Sequence, residues 1–276
     1  YADGGLEADV QFNNDMTMTP FGGDIVYTPS IAFNGVTTNY PSMAHYQYQT
    51  WHAVLRSNGA PNVNIQHDID YYEHAGAIPG YNLATGTYTS NILNMATSMA
   101  RGPTAGWAPL VNNLQTGGIA ADITMGMGQT GDRGDIGPNT VWQAIWAVTQ
   151  DPIAAQFVLA QADAAGGAIP WHFYDVPKGT YLSVFDHPFI WNDGRCVSNG
   201  SCITQGGSGG SGWGPETAHT PSMFYFPYIM TARRHYIDEQ NAEATFMIVS
   251  SWGWTRQDAE CAMIPYHSCE DLGLIS

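Results

Sequence analysis

Carboxylates, imidazoles and indoles gather in the second half of this chain. Asp132 and Asp135 lie in an Asp-rich loop. Trp171, His172, Asp175, Tyr181, Asp186 and His187 fall in one later loop, and Glu216 and His219 follow. Paired carboxyl groups suit hydrolysis of a glycosidic bond. One is protonated to release the leaving group; the other activates water or attacks. Asp135 and Glu216 are the candidate pair, with Glu216 as the acid, and His172 is an added acid–base group whose ring titrates near neutral pH. Trp171 offers a flat face for a sugar. Arg133, Asp175, Tyr181, Asp186, His187 and His219 complete the candidate substrate-binding set. Structural readings compete throughout: Asp132 and Asp135 also suit a helix N-terminus, and Trp171-His172 also suits a packed core.

Other chemistries are less well served. An eliminative lyase would use His172 or Tyr181 as base and a charge-neutralising Arg133 or Arg195, but bases are scarce. A metal site from His172, Asp186, His187 and His219 has no HxH or HExxH spacing behind it, so no metal is expected. No GxxxxGK[ST] loop and no GxSxG elbow occurs. No cofactor is expected.

These loops need elements to hold them. Residues 1–41 are punctuated by Gly and Pro and read as irregular or short-strand structure. A helix is expected from Ser42 through MAHYQYQTWHAVLRS, a second over Val63–His74, and a third over 91–101. Two further apolar-periodic segments end at Gly166-Gly167. TWHAVLRSNGAP with its following AGAIPGYNLATGTY resembles IWAVTQDP with its GGAIPWHFYDVPKGTY. The offset is constant: Pro152 and Pro61, Gly167 and Gly76, Pro170 and Pro79 are each 91 apart. A weaker third copy is PYIMTARRHYIDEQNAEATFMI, where Thr220 and Pro221 are expected to open the helix. Repeated helical hairpins bury their faces on one another and stack in arrays. The expected organisation is an N-terminal segment 1–41, a helical-hairpin domain 42–255 and a cysteine-closed tail 256–276.

Helix pairs with Trp-, His- and Asp-rich loops resemble the (α/α) toroids of glycoside hydrolases and polysaccharide lyases, in architecture and residue type rather than by any catalytic motif. The resemblance implies a mainly α fold: a full or partial (α/α) toroid of repeated hairpins, with long loops and short β-hairpins.

Charge narrows the partners. The chain of 276 residues carries 8 Lys+Arg against 24 Asp+Glu, a net charge of −16. Lys178 is its only lysine. Nucleic acid and anionic lipid both require clustered bases, so neither is expected, nor is a membrane span. A neutral oligo- or polysaccharide fits better. Cys196 with Cys202, and Cys261 with Cys269, are spaced to close two short disulfide loops, which implies an oxidising compartment and secretion. The sequence-level expectation is a secreted protein that binds, and in the enzymatic reading hydrolyses, a neutral glycan. Two non-catalytic alternatives stand beside it: a self-associating filament or virion structural protein, and a glycan-binding module.

Overall fold

A computed structural model describes residues 4–17, 23–57, 65–81, 137–187, 190 and 222–249. Its organising element is an antiparallel ribbon of β1 (Glu7–Asn14) and β6 (Gln49–Arg56), with Gln11 opposite His52 and Phe12 opposite Trp51. Between these strands the chain makes β2 (Ile25–Tyr27), β3 (Ser30–Phe33), β4 (Val36–Asn39) and β5 (Met43–His45), paired as β2 with β5 and β3 with β4. Partners opposite one another on a ladder share a face. The ribbon is therefore two-sided. Phe12 and Trp51 stack at 4.3 Å on the apolar side. There they join Met43, Ala53, Tyr27, Ile31 and Tyr40 in a small core. Glu7, Asp9, Gln11, His52 and Arg56 occupy the other side.

Five helices follow among the described residues, of which the third and fifth meet that polar side. They are α1 (Ile69–His74), α2 (Val141–Thr149), α3 (Pro152–Ala168), α4 (Tyr225–Thr231) and α5 (Arg234–Val249). Thr140 caps α2 with its side chain. The Gln143 amide oxygen accepts from the Thr140 backbone N–H in return, so two otherwise orphaned donors are satisfied. Pro152 opens α3, where its missing N–H costs nothing. The main core lies between these helices, around Trp142, Trp146, Phe157, Val158, Trp171, Phe173, Phe224, Phe226, Tyr236 and Phe246. The β7 (Tyr174–Asp175) and β8 (Thr180–Tyr181) hairpin closes through Gly179, at a φ of 69°.

This architecture overturns the expectation of a mainly α toroid. Five helices and four two-stranded antiparallel sheets make up the described residues, a mixed α and β fold. The decisive difference is Gln49–Arg56, expected as a helix and observed as β6. Thr50, Trp51 and Val54 favour a pleated strand, and β1 supplies the ladder. First and second copies of the repeat therefore diverge, since TWHAVLR is strand and IWAVT is helix. Second and third copies do share a device. Thr149 and Thr231 each donate a side-chain hydrogen bond to the carbonyl four residues back, at 2.7 Å. Each accepts from the backbone N–H two residues on. The residue between, Gln150 or Ala232, is left-handed. Helix α4 begins at Tyr225, not at Pro221, and α1 begins at Ile69 behind an Asp68 cap, not at Val63. The third expected helix lies outside the described residues.

Candidate functional site

Where the polar face of the ribbon meets α3 and α5, ionisable side chains meet in the interior. β6 brings His52, β1 brings Asp9 and Gln11, α3 brings Asp163, and α5 brings His235, Tyr236 and Glu239. Asp163 is the one charged residue in the α3 sequence PIAAQFVLAQADAAGGA.

His52 is sandwiched electrostatically. Its Nε2 lies 3.4 Å from Asp9 Oδ1 and its Nδ1 3.5 Å from Asp163 Oδ1. Burial alone would lower its pKa, but Asp163 and Asp9 outweigh burial and raise it to about 9. Burial likewise pushes the Asp163 carboxyl up, and His52 overrides it, leaving about 2. Tyr236 donates its hydroxyl to Asp163 Oδ1 at 2.7 Å. The Asp163 and Asp9 side chains keep 24% and 27% of their surface exposed, so this end of the cluster meets solvent.

His235 stacks on His52, ring centroids 3.9 Å apart and planes within 4°. Its Nδ1 lies 3.1 Å from Gln11 Oε1. The Gln11 amide nitrogen donates to Asn13 Oδ1, so Oε1 is the end that faces the ring, and His235 Nδ1 carries the proton. Nε2 is then the lone-pair nitrogen, buried and without a hydrogen-bond partner among the described residues. Burial and the neighbouring His52 lower this imidazole to about 4. His45 shows the ordinary alternative, with Nδ1 at 3.0 Å from the Tyr27 hydroxyl and Nε2 at 2.8 Å from the Gln49 carbonyl.

One helical turn on, Glu239 is fully buried. It accepts from His172 Nε2 at 2.8 Å and from Trp171 Nε1 at 3.3 Å. Its pKa is pushed up by burial and pulled down further by His172, ending below the usual value. A turn beyond, burial and then the Glu239 charge raise Glu243 to about 8.

The candidate residues read from sequence separate into groups. Trp171 and His172 lie fully inside the core, with the Trp171 ring edge-on to Phe224 at 5.5 Å. Asp175, Asp186 and His187 belong to the β7–β8 hairpin and its exit: His187 Nε2 meets Asp175 Oδ2 at 2.8 Å, and Lys178 pairs with Asp186 at 3.2 Å. The Tyr181 hydroxyl donates to the Asp238 carbonyl at 2.8 Å. Asp135, Arg133, Glu216, His219 and the cysteines Cys196, Cys202, Cys261 and Cys269 lie outside the described residues. Sequence reasoning did not select His52, Asp163, His235 or Glu239. The one legible signal was the lone acid in an otherwise uncharged apolar helix.

No protein-family model, curated protein or solved structure matches the chain. The toroid resemblance thus finds no support from known proteins either.

Proposed function

We propose that the protein acts on a neutral glycan, binding it and hydrolysing a bond in it at the junction of the ribbon with α3 and α5. The observation that carries this reading is the Asp163 carboxylate. It is oriented by the Tyr236 hydroxyl, flanked by His52, and still reached by solvent at the rim of a buried polar cluster. A carboxylate so held is placed to take a proton from an attacking water, and the protonated His52 imidazole beside it to give one to the departing glycosidic oxygen. The deficit of basic residues supports an uncharged substrate. The two short cysteine spacings support an extracellular setting.

The test is a panel of neutral oligosaccharides offered to the wild type and to Asp163→Asn, reading binding by calorimetry and bond cleavage by released reducing ends. Cleavage lost at least a hundredfold in the variant, with binding retained, is the expected result. Binding without turnover in the wild type would make the chain a glycan-binding module. Absence of both, with filaments or rings seen under native conditions, would give the structural alternative its place.

A further inference from the structure

We infer that His52, Asp163 and His235 form a binding site for a divalent transition-metal ion, with zinc as the representative case. One ring nitrogen from each histidine and one Asp163 oxygen lie within 4.8 Å of one another. The His52 Nδ1 to Asp163 Oδ1 distance of 3.5 Å is close to the edge of a tetrahedral site with bonds of about 2.0–2.1 Å. Two imidazoles and one carboxylate, the ligands found among the described residues, suit a borderline divalent ion that also binds water.

A second observation points the same way. A buried imidazole lone pair with nothing to accept is rare and calls for an explanation. Among the described residues His235 Nε2 is such an atom, on a residue only 3% exposed. The groups around the three side chains are those that metal ligands use. A ligating histidine offers its other N–H to a carboxylate or carbonyl oxygen, and a ligating carboxylate is itself hydrogen-bonded. Asp9 stands at His52 Nε2, Gln11 Oε1 at His235 Nδ1, and the Tyr236 hydroxyl at Asp163. Each ring is thereby turned so that Nδ1 of His52 and Nε2 of His235 are the nitrogens left to ligate.

The rings lie face to face, so their in-plane lone pairs run in parallel planes. Capture of one ion by both turns at least one ring about its Cβ–Cγ bond, and loss of the stack is the structural signature of occupancy. The inference uses the same cluster as the proposed function and deepens it, since an ion there would polarise the attacking water. It is measured without any glycan, so either idea can fail alone.

The full chain, stripped with chelator and dialysed, is titrated with zinc, and bound metal is counted by atomic emission. About one equivalent should bind to the wild type. Glu243→Gln should bind it equally. Asp163→Asn and His235→Gln should lose more than the roughly 10- to 100-fold that removal of an outer partner costs. Gln11→Leu keeps all three ligands but frees the His235 tautomer, and should weaken binding by about that 10- to 100-fold. It serves where a ligand variant fails to fold, with far-ultraviolet circular dichroism as the check. No stoichiometric binding, or one affinity shared by the wild type and the ligand variants, would overturn the assignment.

Discussion

His52 and His235 lie ring on ring, with centroids 3.9 Å apart, one carried by a strand and the other by the first turn of a helix. Their outer partners both come from β1 and differ in kind. Asp9, a carboxylate, faces His52; Gln11, an amide, faces His235. Because Asp9 and Gln11 are two residues apart on one strand, they share a face, and one strand sets both rings. Asp9→Asn replaces the acceptor by a group whose amide can present either end. Zinc affinity should fall by about 10- to 100-fold, with the circular dichroism spectrum unchanged. An unaltered affinity would remove Asp9 from the site.

Glu239 and His172 form a fully buried pair, with the Trp171 N–H as a third member. Removal of one partner from such a pair leaves an uncompensated charge and costs about 3–5 kcal/mol, whereas apolar replacement of both is often close to neutral. His172→Leu should therefore destabilise by that amount in urea unfolding. His172→Leu combined with Glu239→Met should recover most of the loss. Additive losses in the double variant would show that the two residues act independently, against the 2.8 Å contact.

Glu243 gives the fold a pH dependence of definite sign. Its pKa stands at about 8 in the folded chain and near 4.5 when free. Between those values the folded state holds a proton that the unfolded state releases. The Glu243 contribution to stability is then at its full value below pH 4.5, falls as pH rises, and levels off above pH 8. Glu243→Gln keeps the shape and removes the titration. The difference in melting temperature between wild type and variant should swing in favour of the variant from pH 5 to pH 8. A constant difference over that range would mean that Glu243 is ionised in the fold.

Why was so little of the cluster legible beforehand? The strand that carries His52 is buried on both faces, with Trp51 under one side and helices over the other. Alternation of polar and apolar residues, the signal that marks a half-exposed strand, is then absent. QTWHAVLR reads equally well as a helix, and the ladder with β1, from Asn14 opposite Gln49 to Glu7 opposite Arg56, decides the matter from far along the chain. Local signals fared better where local energetics rule. Thr140 with Gln143, and Asp151 before Pro152, mark helix starts that the sequence alone displays. The Asp175–His187 hairpin is local too, and its Gly179 turn is visible in VPKG. His235 was hidden by its own neighbours: RRHYIDEQ reads as a solvated helix start, and only tertiary packing turns His235 and Glu239 inward.

Gln150 and Ala232 occupy the same place in the two helical hairpins, each left-handed, at φ 50° and 55°. For an L-residue with a Cβ this conformation costs roughly 1–2 kcal/mol relative to right-handed backbone, and glycine escapes most of it. Their side chains make the two sites respond differently. Ala232 contributes only a methyl group, so Ala232→Gly should stabilise the chain by about 1 kcal/mol. Gln150 instead donates to the Trp146 and Ala147 carbonyls and accepts from the His67 N–H, tying α2 to the segment before α1. Gln150→Gly relieves the same backbone strain but removes three hydrogen bonds at about 0.5–1.5 kcal/mol each, so it should be neutral to destabilising. Chemical unfolding of the two variants in parallel checks this: equal gains in both would mean that the Gln150 side chain adds nothing to the joint.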